Sequence, residues 1–523
     1  MELNTEDDLS SSLLLQRFTK TILSMTPIMS HTGQGFIHDA VKLITCRPGL
    51  PSANPTIPTW QQPPHPTISD TQSGTLPRES DIVIIGSGIT GIAVAHCLLN
   101  HPKASGLRVT MLEARGSVSG ATGRNGGHLV SDSDSLFPSL VKAVGFELAV
   151  ETVRFSEANI RRLRELVDQL DPEDRQATEF RNVTTSTAFE DRESFDEAVD
   201  ATRQLVKACP DGDIGYKASN QEDATKTFGY GKVAGVIEQH GVAALWPYRL
   251  LTAILASLKR NFPDRFNLET YTPVQSINQQ HYERHPYTLH TPRGSIVAKQ
   301  IVHCTNGYSA NLIPNLVGKL YPLRGTMSTQ SMGPSFPNRG EKVSWAHVSK
   351  GSYNAETGHI HLGLYYAQQN AKSGVMFLGG ESQKLATLIS SDDSTVTDDA
   401  RETLCSVAPR IWKDASPQPI EVWSGIMGFT TDGMLLVGKL PPSLSGRMGN
   451  GEWLAAGFNG HGMDKCWLSG EAIAKMVLGE TVPGFPRAYL LSDQRIASWT
   501  PEKAAETLMD HIMLGGAPPS SHL

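Results

Sequence analysis

Within this 523-residue chain, the stretch from Asp81 to Gly127 most narrows what the chain can fold into. Asp81-Ile82-Val83-Ile84-Ile85 reads as a short buried strand that runs straight into Gly86-Ser87-Gly88-Ile89-Thr90-Gly91, which opens an apolar helix from Ile92 to Leu99. A second strand, Leu107 to Leu112, ends on Glu113, 22 residues after Gly91. Strand, glycine turn, helix, strand and acid at this spacing are the dinucleotide-binding arrangement. Gly86 permits the tight turn, Gly88 lets the backbone approach a pyrophosphate, and Gly91 lets helix and strand pack closely. The positive end of the helix faces the phosphates, and Glu113 accepts from ribose hydroxyls.

An acid at the ribose position disfavours a 2′-phosphate and so NADP, but the fingerprint alone does not separate NAD from FAD. The next segment narrows the choice. Glu113-Ala114-Arg115 is followed by Gly120-Ala121-Thr122-Gly123-Arg124-Asn125-Gly126-Gly127-His128, dense in glycine and small hydroxyl-bearing residues. Such backbone lies flat against a large planar ring, with Thr122 and Arg124 expected to meet phosphate oxygens.

The chain resembles the FAD-dependent amine and amino-acid oxidoreductases typified by D-amino-acid, glycine and sarcosine oxidases. The resemblance covers roughly residues 48–485 and leans toward a fungal and a γ-glutamylputrescine-oxidase-like branch. It rests on the glycine turn with Glu113 and on the G-A-T-G-R-N-G-G-H run. It rests too on Leu245-Trp246-Pro247-Tyr248-Arg249-Leu250 with Tyr271–Val274 and Ile301–Gly307. The C-terminal part is Trp423–Gly428, Asp432 and Ala455–Met463. It implies FAD held by Gly86–Gly91, Glu113–Arg115, Gly120–Gly127, Val274, Thr305, Asn306, Gly307, Gly425 and the loop Gly457, Phe458, Asn459, Gly460, His461, Gly462, Met463. The helix after that loop would point its positive end at the flavin pyrimidine. Some relatives tether flavin through a cysteine near the strand occupied here by Trp423–Asp432, where this chain has none. Non-covalent FAD is therefore expected, with His128 as an alternative tether and a polar loop residue as its plainer role. No lysine is placed by motif where those oxidases activate oxygen.

The chain is long enough for two domains with substantial cores, and 39% apolar content is ordinary for a soluble protein. A net charge of −7 gives no footing for a nucleic-acid partner. Cysteines 46, 97, 209, 304, 405 and 466 are scattered without a C-x-x-C pair, which speaks against a disulfide framework or zinc site. No apolar run approaches the ~20 residues that span a bilayer. Acids at Glu2, Glu6, Asp7 and Asp8 fit neither a secretory nor a transit peptide. Ser521-His522-Leu523 is similar to the S-K-L class of peroxisomal address, with the cytoplasm as alternative.

The expected fold is α/β: a Rossmann-like FAD-binding domain interleaved with a smaller α+β substrate domain of mixed sheet. Residues 1–47 form an extension of uncertain role, with amphipathic pieces at Leu13–Phe18 and Phe36–Val41. Residues 48–80 form a proline-rich arm. FAD-domain parts are expected at 81–165, 235–320 and 421–485, substrate-domain parts at 166–234 and 321–420, and a tail at 486–523. Helices are predicted at Glu151–Leu170, 191–208 and Pro247–Lys259. Strands are predicted at Val183–Phe189, Tyr271–Ile277, Ile296–Cys304, His359–Ala367, Val375–Gly379 and Trp453–Ala456.

The expected chemistry is oxidation of a C–N bond in an amine or amino-acid-like substrate, by hydride transfer to flavin, with oxygen as acceptor and hydrogen peroxide as product. Candidate site residues are Tyr365, Tyr366, Trp423 and Trp246, which can box an amine, Arg324, which can clamp a carboxylate, and His461. Aromatics on strands are more often core. His359 and His361 share a strand face and form a possible metal pair that lacks an evident third ligand. Two alternatives stay open: an FAD-dependent dehydrogenase or desaturase tailoring a larger metabolite, and a non-catalytic flavin-binding scaffold or redox sensor.

Overall fold

The computed structural model describes residues 33–280 and 284–513. The expectations for Leu13–Phe18 and for Ser521–Leu523 fall outside the described residues.

Two sheets organise the chain. The first has the order Leu436–Lys439, Glu452–Ala456, Gly294–His303, Glu79–Ile85, Val109–Leu112, Phe266–Glu269. Four of the five junctions are parallel, and Leu436–Lys439 closes one edge antiparallel. Ser276–Gln279 and Tyr287–Thr291 form a hairpin on Gly294–His303. Strand Glu79–Ile85 is buried over six of its seven residues, as a parallel strand covered on both faces must be. Helix Ile89–Asn100 covers one face and is crossed at close range by helix Cys466–Val477. A Cβ at Gly470 would stand 2.5 Å from the Thr90 carbonyl oxygen, so the crossing depends on that glycine.

The second sheet is mixed. Its order is Gln418–Thr430, Leu320–Ser331, Met376–Lys384, His359–Gln369, Val343–Val348, Arg181–Phe189, Gly235–Ala244, His128–Leu129. Most neighbours are antiparallel, with Val343–Val348 and Arg181–Phe189 parallel. One face is sealed by helix Asp398–Ile411 over a core containing Trp345, Tyr365, Tyr230 and Trp412. The opposite face looks toward the first sheet. The mixed α/β architecture with two interleaved sheets is thus the expected one.

Several local expectations differ. Strand Gly235–Ala244 pairs in the second sheet, whereas the sequence places residues from 235 onward in the first unit; the next element is helix Pro247–Asn261. Gln418–Thr430 likewise pairs along its whole length with Leu320–Ser331, so the last return falls after Thr430 rather than at 421. Residues 271–275 are not a strand. The N–H groups of Tyr271 and Thr272 donate to the carbonyls of Arg115 and Glu113, and Tyr271 sits at φ +49°, so the strand begins only at Ser276. The helix that follows the Gly457–Met463 loop spans Cys466–Val477.

The proline-rich arm is tied into the body. Trp60 stacks on Phe377 at 3.8 Å and meets Trp246 edge-on, and its indole N–H donates to the Asn125 carbonyl. The helix over residues 33–44 packs with helix Pro501–Met513 around Phe36, Ala40, Ile44, Leu508 and Ile512, so the Phe36–Val41 piece is part of a core.

Candidate active site

A cavity of about 1060 Å³ opens between the two sheets. One end is walled by the glycine turn. Gly86 takes φ +107°, and a Cβ there would stand 2.6 Å from the Cys304 carbonyl oxygen. A Cβ at Gly91 would be 2.1 Å from the Gly86 carbonyl oxygen, which is the close helix–strand approach read from the sequence. Thr122 Oγ1 accepts from the Ile89 N–H at 3.1 Å, pinning the second glycine loop against the helix start. Glu113 Oε2 accepts from both the N–H and the hydroxyl of Ser87, at 2.9 and 2.6 Å, and Oε1 accepts from Arg115 N. A carboxylate offers about four lone-pair sites, so capacity for a ribose hydroxyl remains.

Arg124 is held by three protein oxygens. Its Nε donates to the Ser119 carbonyl at 2.7 Å, and its Nη1 donates to the Ser424 carbonyl at 2.8 Å and to Thr56 Oγ1. Burial pushes its guanidinium down to about 10, against the attraction of Asp393. Through Nε and Nη1, Arg124 clamps the loop, the arm and the second sheet together, and it also lines the cavity. Arg115 pairs with both oxygens of Asp393, at 3.0 and 2.9 Å.

The other expected cofactor residues sort into two layers. Gly86, Gly88–Thr90, Glu113–Arg115, Gly120–Thr122, Arg124–Gly127, Val274, Thr305, Asn306, Gly425 and Phe458–Met463 line the cavity. Ser87, Gly91, Gly123, Gly307 and Gly457 stand behind it, where they permit close packing. At Gly123 a Cβ would be 2.2 Å from the Val118 carbonyl oxygen, and at Gly307 2.4 Å from that of Met427. Asn306, at φ +43°, accepts from the N–H groups of Gly457 and Phe458, joining two separate cofactor segments. A helix start, an acid at the ribose position and two side-chain-free walls around this volume fit FAD.

At the far side of the glycine loops the structure separates residues that the sequence grouped. Tyr366 lines the cavity beside Gly126, where a Cβ would meet its ring at 2.8 Å. Tyr365 is turned to the other face of the sheet, into the core with Trp345, because successive strand residues point to opposite sides. Arg324 is buried, donating to the Asp392 carbonyl and to Gln383 Oε1, so it supports the sheet and does not reach the cavity. Trp246 donates to the Trp60 carbonyl and Trp423 to the Arg124 carbonyl; both hold the arm and loop in place. His359 lies 3.9 Å from Asp399 and His361 bonds Ser349. Among the described residues no group of His, Cys, Asp or Glu surrounds them as metal ligands.

His128 lines the cavity, its ring edge-on to Tyr366. Its Nε2 lies 3.1 Å from the Ala367 carbonyl oxygen, which only accepts, so Nε2 carries the proton and Nδ1 is an acceptor. Burial pushes the imidazole down to about 4, leaving it neutral near pH 7. His461 also lines the cavity and has Nδ1 3.4 Å from Asp132.

Four polar residues that sequence reading missed line the cavity, Asp132, Asp134, Gln239 and Asp464, with Lys465 behind them. Lys465 bonds Asp132 at 3.1 Å and Asp464 at 2.6 Å, and Asp464 accepts from Ser156. Burial disfavours the Lys465 ammonium, but the two carboxylates outweigh it and hold the lysine charged above its ordinary range. Asp134, two residues past Asp132, is 6% exposed, and burial pushes its carboxyl up to about 6. Gln239 reaches it across the cavity wall, Nε2 donating to Asp134 Oδ2 at 3.1 Å. These residues come from Ser131–Asp134, strand Gly235–Ala244 and the turn before Cys466. None belongs to a contiguous motif.

This fold and site define an FAD-dependent oxidoreductase. The FAD dependent oxidoreductase family DAO matches residues 81–476, and the chain belongs to that family. It is similar to γ-glutamylputrescine oxidoreductase of Escherichia coli (strain K12), 22% identical over 413 residues, covering 76% of this chain and 84% of that protein. It is also similar to the probable oxidoreductase OrdL of Rhizobium meliloti (strain 1021), 21% identical, covering 82% and 94%. Among solved structures, glycine oxidase from Geobacillus kaustophilus superposes with a TM-score of 0.59 at 18% identity, over 79% of this chain and 99% of that one. Among the described residues no helix is long and apolar enough to cross a membrane.

Proposed function

We propose that the protein oxidises a C–N bond of an amine or amino-acid-like substrate to an imine. The carrying observation is that one cavity joins the dinucleotide-binding loops to a lobe rich in hydrogen-bond acceptors. Bound FAD supplies the acceptor for the hydride, and oxygen is the proposed final acceptor, giving hydrogen peroxide. The chain's own residues orient and deprotonate. Tyr366 and neutral His128 flank the backbone of Gly126 and Gly127, where a substrate carbon would be held. An ammonium must lose a proton before its carbon gives up hydride, and His461, backed by Asp132, is placed in the cavity wall to take it. The names of the relatives, γ-glutamylputrescine oxidoreductase and glycine oxidase, support an amine or amino-acid substrate. The FAD is proposed to be non-covalent, since His128 is engaged with Ala367 and no cysteine lies on Gln418–Thr430.

Anaerobic bleaching of the flavin's visible absorbance by amines, N-methyl amino acids and amino acids tests this. Bleaching by one member names the substrate class. A yellow protein that none of them bleaches sinks the reading.

A further inference from the structure

We infer that the proline-rich arm supplies one wall of the cofactor site: residues Gly49–Pro51 close over the adenosine half of FAD, so that the cofactor leaves when this strap lifts.

The strap is pinned at both ends to segments that line the cofactor cavity. Before it, Arg47 donates through Nη2 to the Asn311 carbonyl. Ser391 donates its hydroxyl to the Pro48 carbonyl at 2.5 Å, and its own carbonyl accepts from the Tyr308 hydroxyl at 3.1 Å. After the strap, Arg115 Nη1 donates to the Ser52 carbonyl at 3.4 Å. Tyr308, Asn311 and Arg115 all line the cavity, and Arg115 stands two residues past the ribose-facing Glu113. Between these anchors Gly49, Leu50 and Pro51 line the same cavity, with Gly49 at φ +72° turning the chain. The arm then runs on along the second glycine loop. Thr56 Oγ1 accepts from Arg124, Trp60 Nε1 donates to the Asn125 carbonyl, and Gln61 Nε2 donates to the Gly123 carbonyl.

The chemistry of this end suits an adenosine. Leu112, Val274 and Leu312 belong to one apolar cluster and also line the cavity. Val274 is held near the acid, because the N–H groups of Tyr271 and Thr272 donate to the carbonyls of Arg115 and Glu113. Apolar side chains beside a ribose-binding acid make a slot for a planar heteroaromatic base. Leu50 is 40% exposed although it lines this cavity. A lone exposed leucine is ordinary on a protein surface, but this one is fixed from both sides across a ligand cavity. There it buries apolar surface when a base fills the slot.

The test is the rate at which FAD leaves the purified holoprotein on dilution, read by flavin fluorescence, in wild type, Leu50→Ala and Ile57→Ala. Ile57 lies on the same arm and is 63% exposed, but it does not line the cavity. Leu50→Ala should speed release about fivefold or more, the scale of one or two methylene groups no longer covered. Ile57→Ala should release FAD at the wild-type rate. A wild-type rate in Leu50→Ala, or equal acceleration in both variants, overturns the inference and leaves the arm a brace of the glycine loop. Where Leu50→Ala loses its FAD during purification, hydrogen–deuterium exchange of the wild-type protein decides. FAD should slow exchange over residues 49–57 about tenfold or more relative to the flavin-depleted protein, beyond any change in the helix over residues 33–44. Protection no greater than that helix shows overturns the inference. Neither readout uses a substrate, so the strap is decided apart from the oxidase reading.

Discussion

Ser87 donates twice to one oxygen of Glu113, from its backbone N–H at 2.9 Å and its hydroxyl at 2.6 Å, and the same hydroxyl accepts from the Val118 N–H at 2.9 Å. The second position of the glycine turn thereby sets the ribose-facing acid and the entry to the second glycine loop together. Ser87→Ala removes a donor from a buried carboxylate and an acceptor from a buried amide. The expected outcome is a loss of about 1–3 kcal/mol of stability with a weaker hold on FAD. Thermal unfolding and the equilibrium release of FAD measure the two effects.

Gly91 and Gly120 separate fold from ligand. Gly91→Ala drives a methyl into the Gly86 carbonyl and should prevent the helix from seating, costing roughly 1–3 kcal/mol and FAD retention together. Gly120 has nothing within 4 Å of its Cβ position and an ordinary φ of −78°, yet it lines the cavity. Gly120→Ala should leave the apoprotein's melting unchanged, within about 0.5 kcal/mol, while weakening FAD binding if flavin lies where expected. Equal FAD affinity in wild type and Gly120→Ala would move the flavin away from that loop.

The adjacent tyrosines should behave as different kinds of residue. Tyr365→Ala opens a hole among Trp345, Leu378 and Tyr230 and should cost about 3–5 kcal/mol of stability. Tyr366→Leu should melt near the wild-type temperature but raise the half-saturating amine concentration about tenfold, the scale of a lost ring–cation contact. Chemical denaturation and flavin-bleaching titrations on both variants check the split, and a reversed pattern would invert the facing of the strand.

How far the sequence revealed this site follows a physical line. Gly86, Gly88, Gly91 and Glu113 were legible because local backbone geometry demands them at fixed spacing within one strand–turn–helix–strand unit. Tyr365 and Tyr366 could not be told apart, since alternation says they differ but not which faces in. Arg324 looked like a substrate clamp because arginines in clefts often are, whereas its partners Gln383 and Asp392 lie some sixty residues away. Strand Gly235–Ala244 is hard to read because Glu238, Gln239 and His240 interrupt its apolar alternation, and Gln239 is polar there because it bonds the Ser131 carbonyl and Asp134. Asp132, Asp134, Gln239 and Lys465 meet through tertiary folding alone, with no local signature for any of them.

Asp393 neutralises a buried pocket of guanidinium charge. It bonds Arg115 with both oxygens and lies 3.6 Å from Arg124 Nε. Asp393→Asn leaves two buried cations short of their counter-charge, and about 3–5 kcal/mol of stability should go with it. Because Arg124 holds Ser119, Ser424 and Thr56, FAD release should accelerate in the same variant. Urea unfolding midpoints and flavin fluorescence on dilution read the two effects.

Glu452 carries a pH dependence that can be assigned. Burial pushes its carboxyl up, but paired hydrogen bonds from Arg447, each 2.7 Å, and His303 at 3.1 Å outweigh it and hold the group at about 2, below its ordinary 4.5. A depressed folded-state value means the unfolded chain binds the proton first as pH falls. The ion pair's stabilisation is thus fully present above about pH 4.5 and drains away as pH drops toward 2, amounting to about 3 kcal/mol in all. Glu452→Gln should therefore destabilise the protein by about this much at neutral pH, by loosening Glu452–Ala456 from Gly294–His303. The gap between variant and wild type should narrow steadily below about pH 4.5. Melting temperatures of the two proteins across that range measure it, and a gap that stays constant with pH would show that Glu452 is held by packing rather than charge.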